Sequence, residues 1–164
     1  FIHERHHQDN TVPRFNGWWG HDKATRFKME PEFVPIPTAE AWQLSNAPVL
    51  SMAALRASLD IFDEVGMDAL REKALHQTDY LLNLLDAHSE LPVEIITPRE
   101  PAARGGQLSL LTGDGGKVMF DRLTEAGVIC DWREPNVIRI ATAPLYNSYV
   151  DLWHFVHILA GSEA

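Results

Sequence analysis

The chain has a single cysteine, Cys130, only four lysines and no long apolar run. One thiol cannot close an intramolecular disulfide or build a thiolate zinc site, and it fits a reducing cytoplasm. No stretch approaches the ~18 uninterrupted apolar residues of a membrane span. No basic and then apolar leader opens the sequence, so nothing points to secretion. Positive charge is scarce as well. Lys plus Arg number 14 against 23 Asp plus Glu, for a net charge of -9. A surface of that sign repels phosphate backbones and argues against nucleic acid as a partner. There is no Walker loop, no nucleophile elbow and no strand-linked Gly-x-Gly-x-x-Gly. Gly113-Asp114-Gly115-Gly116 reads as a plain turn. Of the eight histidines, His3 and His7 would share a face if helical, but no third ligand follows at a recognisable spacing. No bound metal is expected.

What is present suits a compact domain: 164 residues, 45% hydrophobic and 23% charged. The opening Phe1-Ile2-His3 lacks Met and reads like the middle of a strand, which suggests a trimmed or partial chain. Residues 1–48 show little periodicity but carry Trp18, Trp19, Trp42 and five prolines, Pro13, Pro31, Pro35, Pro37 and Pro48. So aromatic a segment is too hydrophobic for disorder and is expected to pack on a partner surface.

From Val49 a helical period takes over. Leu50, Ala53, Ala54, Ala57, Leu59 and Ile61 mark one apolar face, and Gly66 interrupts it. A second stripe runs from Met67 through Leu70, Ala74, Leu75, Thr78, Leu81 and Leu82 to Leu85. After Pro92 the period becomes two. Strands are expected at 93–97 and 107–111, a helix at about 117–125 capped by Gly127, then a hairpin of 128–132 and 137–141 around Glu134-Pro135-Asn136. A last helix covers about 148–159, with Asn147 or Ser148 as its N-cap and Asp151 in its first turn. The order β-β-α-β-β-α predicts a small, mostly antiparallel sheet with helices on one face.

Three groups stand out chemically. Arg139 sits inside the apolar strand Val137-Ile138-Arg139-Ile140-Ala141, on the face opposite Ile138 and Ile140. Its fork could grip a ligand carboxylate or phosphate. It could equally lie on an open sheet face or pair with Asp131 or Asp121. Gly17-Trp18-Trp19-Gly20-His21 offers flat aromatic walls and two indole N–H donors, or else a core anchor. Ser45 and Asn46, in Leu44-Ser45-Asn46-Ala47-Pro48, present a hydroxyl and an amide just before a helix, where capping is the common use and ligand contact the rarer one.

Taken in order, these segments resemble kynureninase, a fold-type I pyridoxal-phosphate enzyme. The series runs Phe1-Ile2-His3-Glu4, Gly17-Trp18-Trp19-Gly20-His21, Thr25-Arg26-Phe27-Lys28-Met29, Leu44-Ser45-Asn46-Ala47-Pro48, Arg104-Gly105-Gly106-Gln107-Leu108, Val128-Ile129-Cys130-Asp131, Ile138-Arg139-Ile140-Ala141 and Pro144-Leu145-Tyr146-Asn147-Ser148. It covers essentially the whole chain.

The resemblance implies the C-terminal part of an α/β transferase-like fold. Residues 1–48 would end the large cofactor domain, 49–90 would form connecting helices, and 91–164 a small α+β domain. It implies pyridoxal 5'-phosphate as cofactor and cleavage of L-kynurenine, or its 3-hydroxy form, to an anthranilate and L-alanine, in tryptophan catabolism and NAD biosynthesis. Trp18 and Asn46 would contact the cofactor. Arg139 would clamp the substrate α-carboxylate, with Asn46, Ser45, Trp19 and His21 along the pocket. Asn46 after Ser45 resembles members that prefer the 3-hydroxy substrate.

The family's Schiff-base lysine is expected upstream, since Lys23, Lys28, Lys73 and Lys117 are not in its context. No catalytic residue is therefore assigned within the chain, which alone should be inactive. A cytoplasmic homodimer is implied, with the pocket between subunits. Two alternatives stay open: a cysteine desulfurase of the same fold, and a non-catalytic amino-acid-binding or assembly module.

Overall fold

A computed structural model describes residues 2–9 and 11–161, in two compact units that divide between Asp60 and Ile61. In the first unit the backbone is mostly irregular. Short 3-10 turns form at Glu4–His6, Trp18–Gly20 and Ala39–Trp42. The opening therefore does not read as strand. Ile2 and His3 lead into the first turn, where His3 Nδ1 accepts from the amide of Arg5 at 3.2 Å. His7 is likewise spent on backbone, with Nε2 3.0 Å from the Ile2 carbonyl. Phe1 lies outside the described residues.

Backbone contacts over long sequence separations hold this unit together. The Asp22 amide donates to the Val34 carbonyl at 2.7 Å, and the Ile36 amide to that of Gly20 at 3.0 Å. Arg14 lies over the rings of Phe33 and Trp42, at 5.6 and 4.9 Å.

Helix α1 spans Val49–Val65, and none of its residues is buried. Its apolar stripe forms as the periodicity predicts but finds no covering surface among the described residues; Leu50 is 88% exposed. Gly66, at φ +83°, breaks the run and lets α2, Met67–Ala87, set off afresh. On α2, Leu70, Ala74, Thr78, Leu81, Leu82 and Leu85 are buried, the stripe expected from their three-and-four spacing.

The second unit is built on a four-stranded sheet, with β1 Val93–Ile95, β2 Gln107–Thr112, β3 Asp131–Arg133 and β4 Val137–Ala141 in the order β1-β2-β4-β3. All neighbouring pairs are antiparallel. Helix α3, Gly116–Glu125, and α4, Tyr149–Leu159, join α2 over one face. There Leu108, Leu110, Leu123, Ile138, Val156 and Leu159 lose essentially all contact with water. Burying one such side chain contributes about 2 kcal/mol.

Two strand boundaries differ from expectation. Beyond β1, Thr97 keeps its place by side chain, its Oγ1 accepting from the Ser109 amide at 2.8 Å. Val128-Ile129-Cys130 is not strand. Gly127, at φ +81°, reverses the chain, the Val128 amide returns to the Leu123 carbonyl at 2.9 Å, and Ile129 is fully exposed. The strand begins only at Asp131.

Candidate functional site

In the first unit, two glycines bring the indole pair beside the Ser45–Asn46 loop. A Cβ on Gly17 would stand 2.1 Å from the Cα of Leu44, and one on Gly20 would stand 2.3 Å from the Ala41 carbonyl oxygen. The Trp18–Gly20 turn is thus pressed against the segment running from Ala41 to Leu44. That fixes the backbone of Trp18 near Ser45 and Asn46, so three of the predicted site residues share one neighbourhood.

Trp18 is 46% exposed and meets Trp19 and Phe27 edge-on, at ring distances of 5.3 and 5.5 Å. No hydrogen bond occupies its indole N–H among the described residues. Trp19 is held from behind, with the guanidinium of Arg26 4.5 Å from its ring centre and Nη2 donating to its carbonyl at 2.6 Å. Ser45 and Asn46 are exposed and do not cap α1. Helix α1 starts beyond Pro48, whose carbonyl accepts from the Met52 amide at 2.9 Å, and Ser45 gives only its carbonyl, to Gln43 Nε2 at 3.1 Å.

His21 differs from its neighbours. It is 7% exposed, and its Nδ1 accepts from the Val34 amide at 3.3 Å. That contact assigns the ring proton to Nε2, which donates to Thr25 Oγ1 at 2.9 Å. Thr25 in turn donates to Asp22 Oδ2 at 3.3 Å. Both ring nitrogens are therefore engaged in holding the loop.

Arg139 belongs to the second unit. Strand alternation places it on the face away from the helices, as its position between buried Ile138 and Ile140 requires. Ser109 on β2 and Asp131 on β3 lie directly opposite it in the ladder. Its Nε donates to Asp131 Oδ2 at 2.8 Å, and Nη2 donates to the same oxygen. Of the partners left open by the sequence, Asp131 is the one observed and Asp121 pairs with Lys117 instead. The guanidinium holds the Asp131 carboxyl below the usual carboxylate range, with Arg133 adding to the effect.

A cavity of about 650 Å³ in the second unit lies on its helical side. It is lined by Leu81, Cys130, Thr142, Asn147, Asp151 and Phe155, among others, and no site residue was predicted there. Burial pushes the Cys130 thiol above its ordinary pKa, and the Asp131 carboxylate pushes it further.

A family model described as the kynureninase C-terminal domain matches residues 70–159, more than half of the chain. This chain belongs to that family. Among curated relatives, the kynureninase of Koribacter versatilis (strain Ellin345) is 55% identical over 156 residues, which is 95% of this chain and 37% of the relative. That of Stenotrophomonas maltophilia (strain K279a) is 55% identical over 159 residues, covering 95% and 38%, and that of Myxococcus xanthus (strain DK1622) is 53% identical over 161 residues, covering 98% and 38%. The chain thus spans little more than a third of the length of these kynureninases. Solved structures of the cystine C-S lyase C-DES match with a TM-score of 0.73 at 18% identity. One of them, with glycine covalently linked to its PLP cofactor, is matched over 92% of this chain and 38% of its own. At that identity the likeness establishes the fold alone, an α/β architecture shared with part of C-DES.

Proposed function

We propose that this chain is the C-terminal part of a kynureninase. Joined to the remainder of the enzyme, it would take part in hydrolytic Cβ–Cγ cleavage of L-kynurenine or 3-hydroxy-L-kynurenine, giving the corresponding anthranilate and L-alanine. The observation that carries this reading is Arg139: a guanidinium in mid-strand, held along one edge by Asp131, in a chain 55% identical to kynureninases over nearly its whole length.

The residues present suit pyridoxal 5'-phosphate. Trp18 keeps a half-exposed indole donor, and the exposed amide of Asn46 lies on the adjoining loop. Both are neutral donors suited to phosphate oxygens. When bound, the cofactor supplies an electron sink for charge developing at the substrate Cα.

The residues of this chain contribute binding and orientation. Arg139 fixes the substrate α-carboxylate and so the direction of the Cα–H bond. Asn46 meets the cofactor phosphate or a ring hydroxyl of the substrate, which would favour the 3-hydroxy form, and Ser45 and Trp19 form the wall beside it. His21, with both nitrogens engaged, shapes that wall from behind. The exposed apolar stripe of α1 supports a large partner surface, either the remainder of the enzyme or a second subunit of a homodimer.

The cofactor-bearing lysine belongs to that remainder on this reading. Lys23 is paired with Glu40 at 2.9 Å, Lys73 donates to the Pro144 carbonyl at 2.6 Å and Lys117 pairs with Asp121 at 2.8 Å. The isolated chain should be inactive. A desulfurase would need a thiolate of lowered pKa, and Cys130 is shifted the other way.

Co-expression with the upstream segment of a kynureninase tests the proposal. A yellow chromophore with release of alanine from kynurenine is expected. Assembly without cofactor binding or turnover would favour a non-catalytic module.

A further inference from the structure

We propose that Asp131 and Arg133 form a built-in mount for Arg139: Asp131 fixes the side edge of its guanidinium, and Arg133 offsets the charge of that carboxylate, so that the end edge stays free and net positive for an α-amino carboxylate. This rests on the reading of Arg139 as the carboxylate clamp.

The geometry is specific. Asp131 and Arg139 are directly opposed in the β3–β4 ladder, on the face away from the helices, where facing side chains are close neighbours. Nε and Nη2 of Arg139 both converge on Oδ2 of Asp131. Arg133 Nε reaches the same oxygen at 2.9 Å. One carboxylate oxygen therefore faces two guanidinium ions, hydrogen-bonded by Arg139 and ion-paired with Arg133. Among the described residues, Nη1 of Arg139 has no hydrogen-bond partner. The Nη1–Nη2 edge can accept a carboxylate in the two-pronged manner while Asp131 keeps the other edge.

Charge explains why two arginines are used. Asp131 alone would neutralise Arg139 and leave a ligand carboxylate facing a net-zero pair. With Arg133 the trio carries a net charge of +1. Fixing the guanidinium beforehand also removes rotamer freedom that a ligand would otherwise have to freeze. The lowered pKa of Asp131 keeps the mount ionised throughout the neutral range. Asp131 is thus a positioning residue, acting on the substrate only through Arg139.

The test uses the complete, cofactor-loaded enzyme and two probes, L-kynurenine for turnover and L-alanine for binding. Asp131→Ala should raise KM for kynurenine and Kd for L-alanine about tenfold, the scale of one charge-assisted hydrogen bond. Asp131→Asn, which keeps the shape and one acceptor oxygen, should fall between Asp131→Ala and wild type, with kcat less affected than KM. Arg133→Ala should weaken L-alanine binding and flatten its dependence on salt. Nitrogen-15 NMR gives a readout apart from activity, because the Nε–H signal of Arg139 should be slow to exchange with water in wild type and fast in Asp131→Ala.

Tighter L-alanine binding in Asp131→Asn would make the carboxylate a competitor rather than a mount. Unchanged binding in both Asp131 variants would likewise overturn the proposal, provided Arg139→Ala binds L-alanine poorly. If Arg139→Ala binds as well as wild type, the clamp reading itself fails and the mount with it.

Discussion

A Cβ built on Gly17 would lie 2.1 Å from the Cα of Leu44, well inside any tolerated contact. The Gly-Trp-Trp-Gly sequence is thus less a flexible loop than a seam, in which absent side chains let two backbone segments touch. Gly17→Ala must push the Trp18 turn away from Leu44, at a cost of about 1–3 kcal/mol by analogy with overpacked cores. In the complete enzyme it should lower the unfolding midpoint and loosen cofactor retention, read as loss of the cofactor absorbance on dialysis. Gly105→Ala, with nothing within 4 Å of its Cβ, is the matched control and should change neither. Full cofactor retention in Gly17→Ala would detach Trp18 and Asn46 from the proposed phosphate site.

Arg104 is a buried charge in the second unit. Its side chain is fully enclosed, Nε donates to Thr78 Oγ1 at 3.3 Å, and the two terminal nitrogens donate to the Arg99 carbonyl and to Asp79. It ties the loop before β2 to the middle of α2. Asp79 is half in water, so screening weakens its share, and the enclosed hydrogen bonds dominate. Arg104→Ala should destabilise the unit by about 3 kcal/mol, or roughly 12–24 °C in the thermal midpoint of a unit this small. A shift below 2 °C, measured by circular dichroism, would mean that water replaces these contacts freely.

The helices and the sheet were legible because each carries a clean period. Leu70, Ala74, Leu81 and Leu85 of α2 are spaced to share a face, and Leu108, Leu110, Ile138 and Ile140 alternate onto one side of the sheet. Where apolar residues follow one another without a period, the reading failed. Val128-Ile129-Cys130 has the composition of a strand, but the left-handed turn at Gly127 spends those residues on a return toward α3. The site was legible only as a set of candidates. Asp131 was one of several possible partners for Arg139, and strand register selected it. The burial of His21 depends on Val34, 13 residues away, through a backbone contact that leaves no local signal. The stripe of α1 was read correctly as apolar, yet nothing in its pattern says what would cover it.

Cys130 offers a chemical check that is independent of the sheet. Its thiol pKa is raised from the ordinary value, by burial first and by the neighbouring Asp131 carboxylate second, so less thiolate is present at a given pH than in an unperturbed cysteine. Iodoacetamide should therefore modify it more slowly than it modifies N-acetylcysteine at pH 8, with the rate still climbing above pH 9. Turnover of kynurenine in the complete enzyme should survive full modification. A fast, low-pH reaction that abolished turnover would revive the desulfurase alternative.

Helix α4 begins with a reciprocal cap whose contribution depends on pH. Ser148 Oγ accepts from the Asp151 amide at 3.2 Å, and Asp151 Oδ2 accepts from the Ser148 amide at 2.7 Å. The Ser148 amide, donating to that carboxylate, is the foremost cause that holds the Asp151 carboxyl below its ordinary value. A folded-state value below the unfolded one means that the contribution of Asp151 is complete above about pH 4. It is lost as pH falls through the folded value. Ser148→Ala should cost about 1 kcal/mol at neutral pH. Asp151→Asn should destabilise the second unit at pH 7, and the difference from wild type should be smaller in melts at the lowest pH at which the unit stays folded, as the native carboxyl begins to protonate. Because Leu152, Phe155, Val156 and Leu159 of this helix lie in the core, loss of the cap should also raise amide exchange along α4 before the sheet opens. Equal melting differences at both pH values would show that the carboxylate charge of Asp151 contributes nothing to the cap.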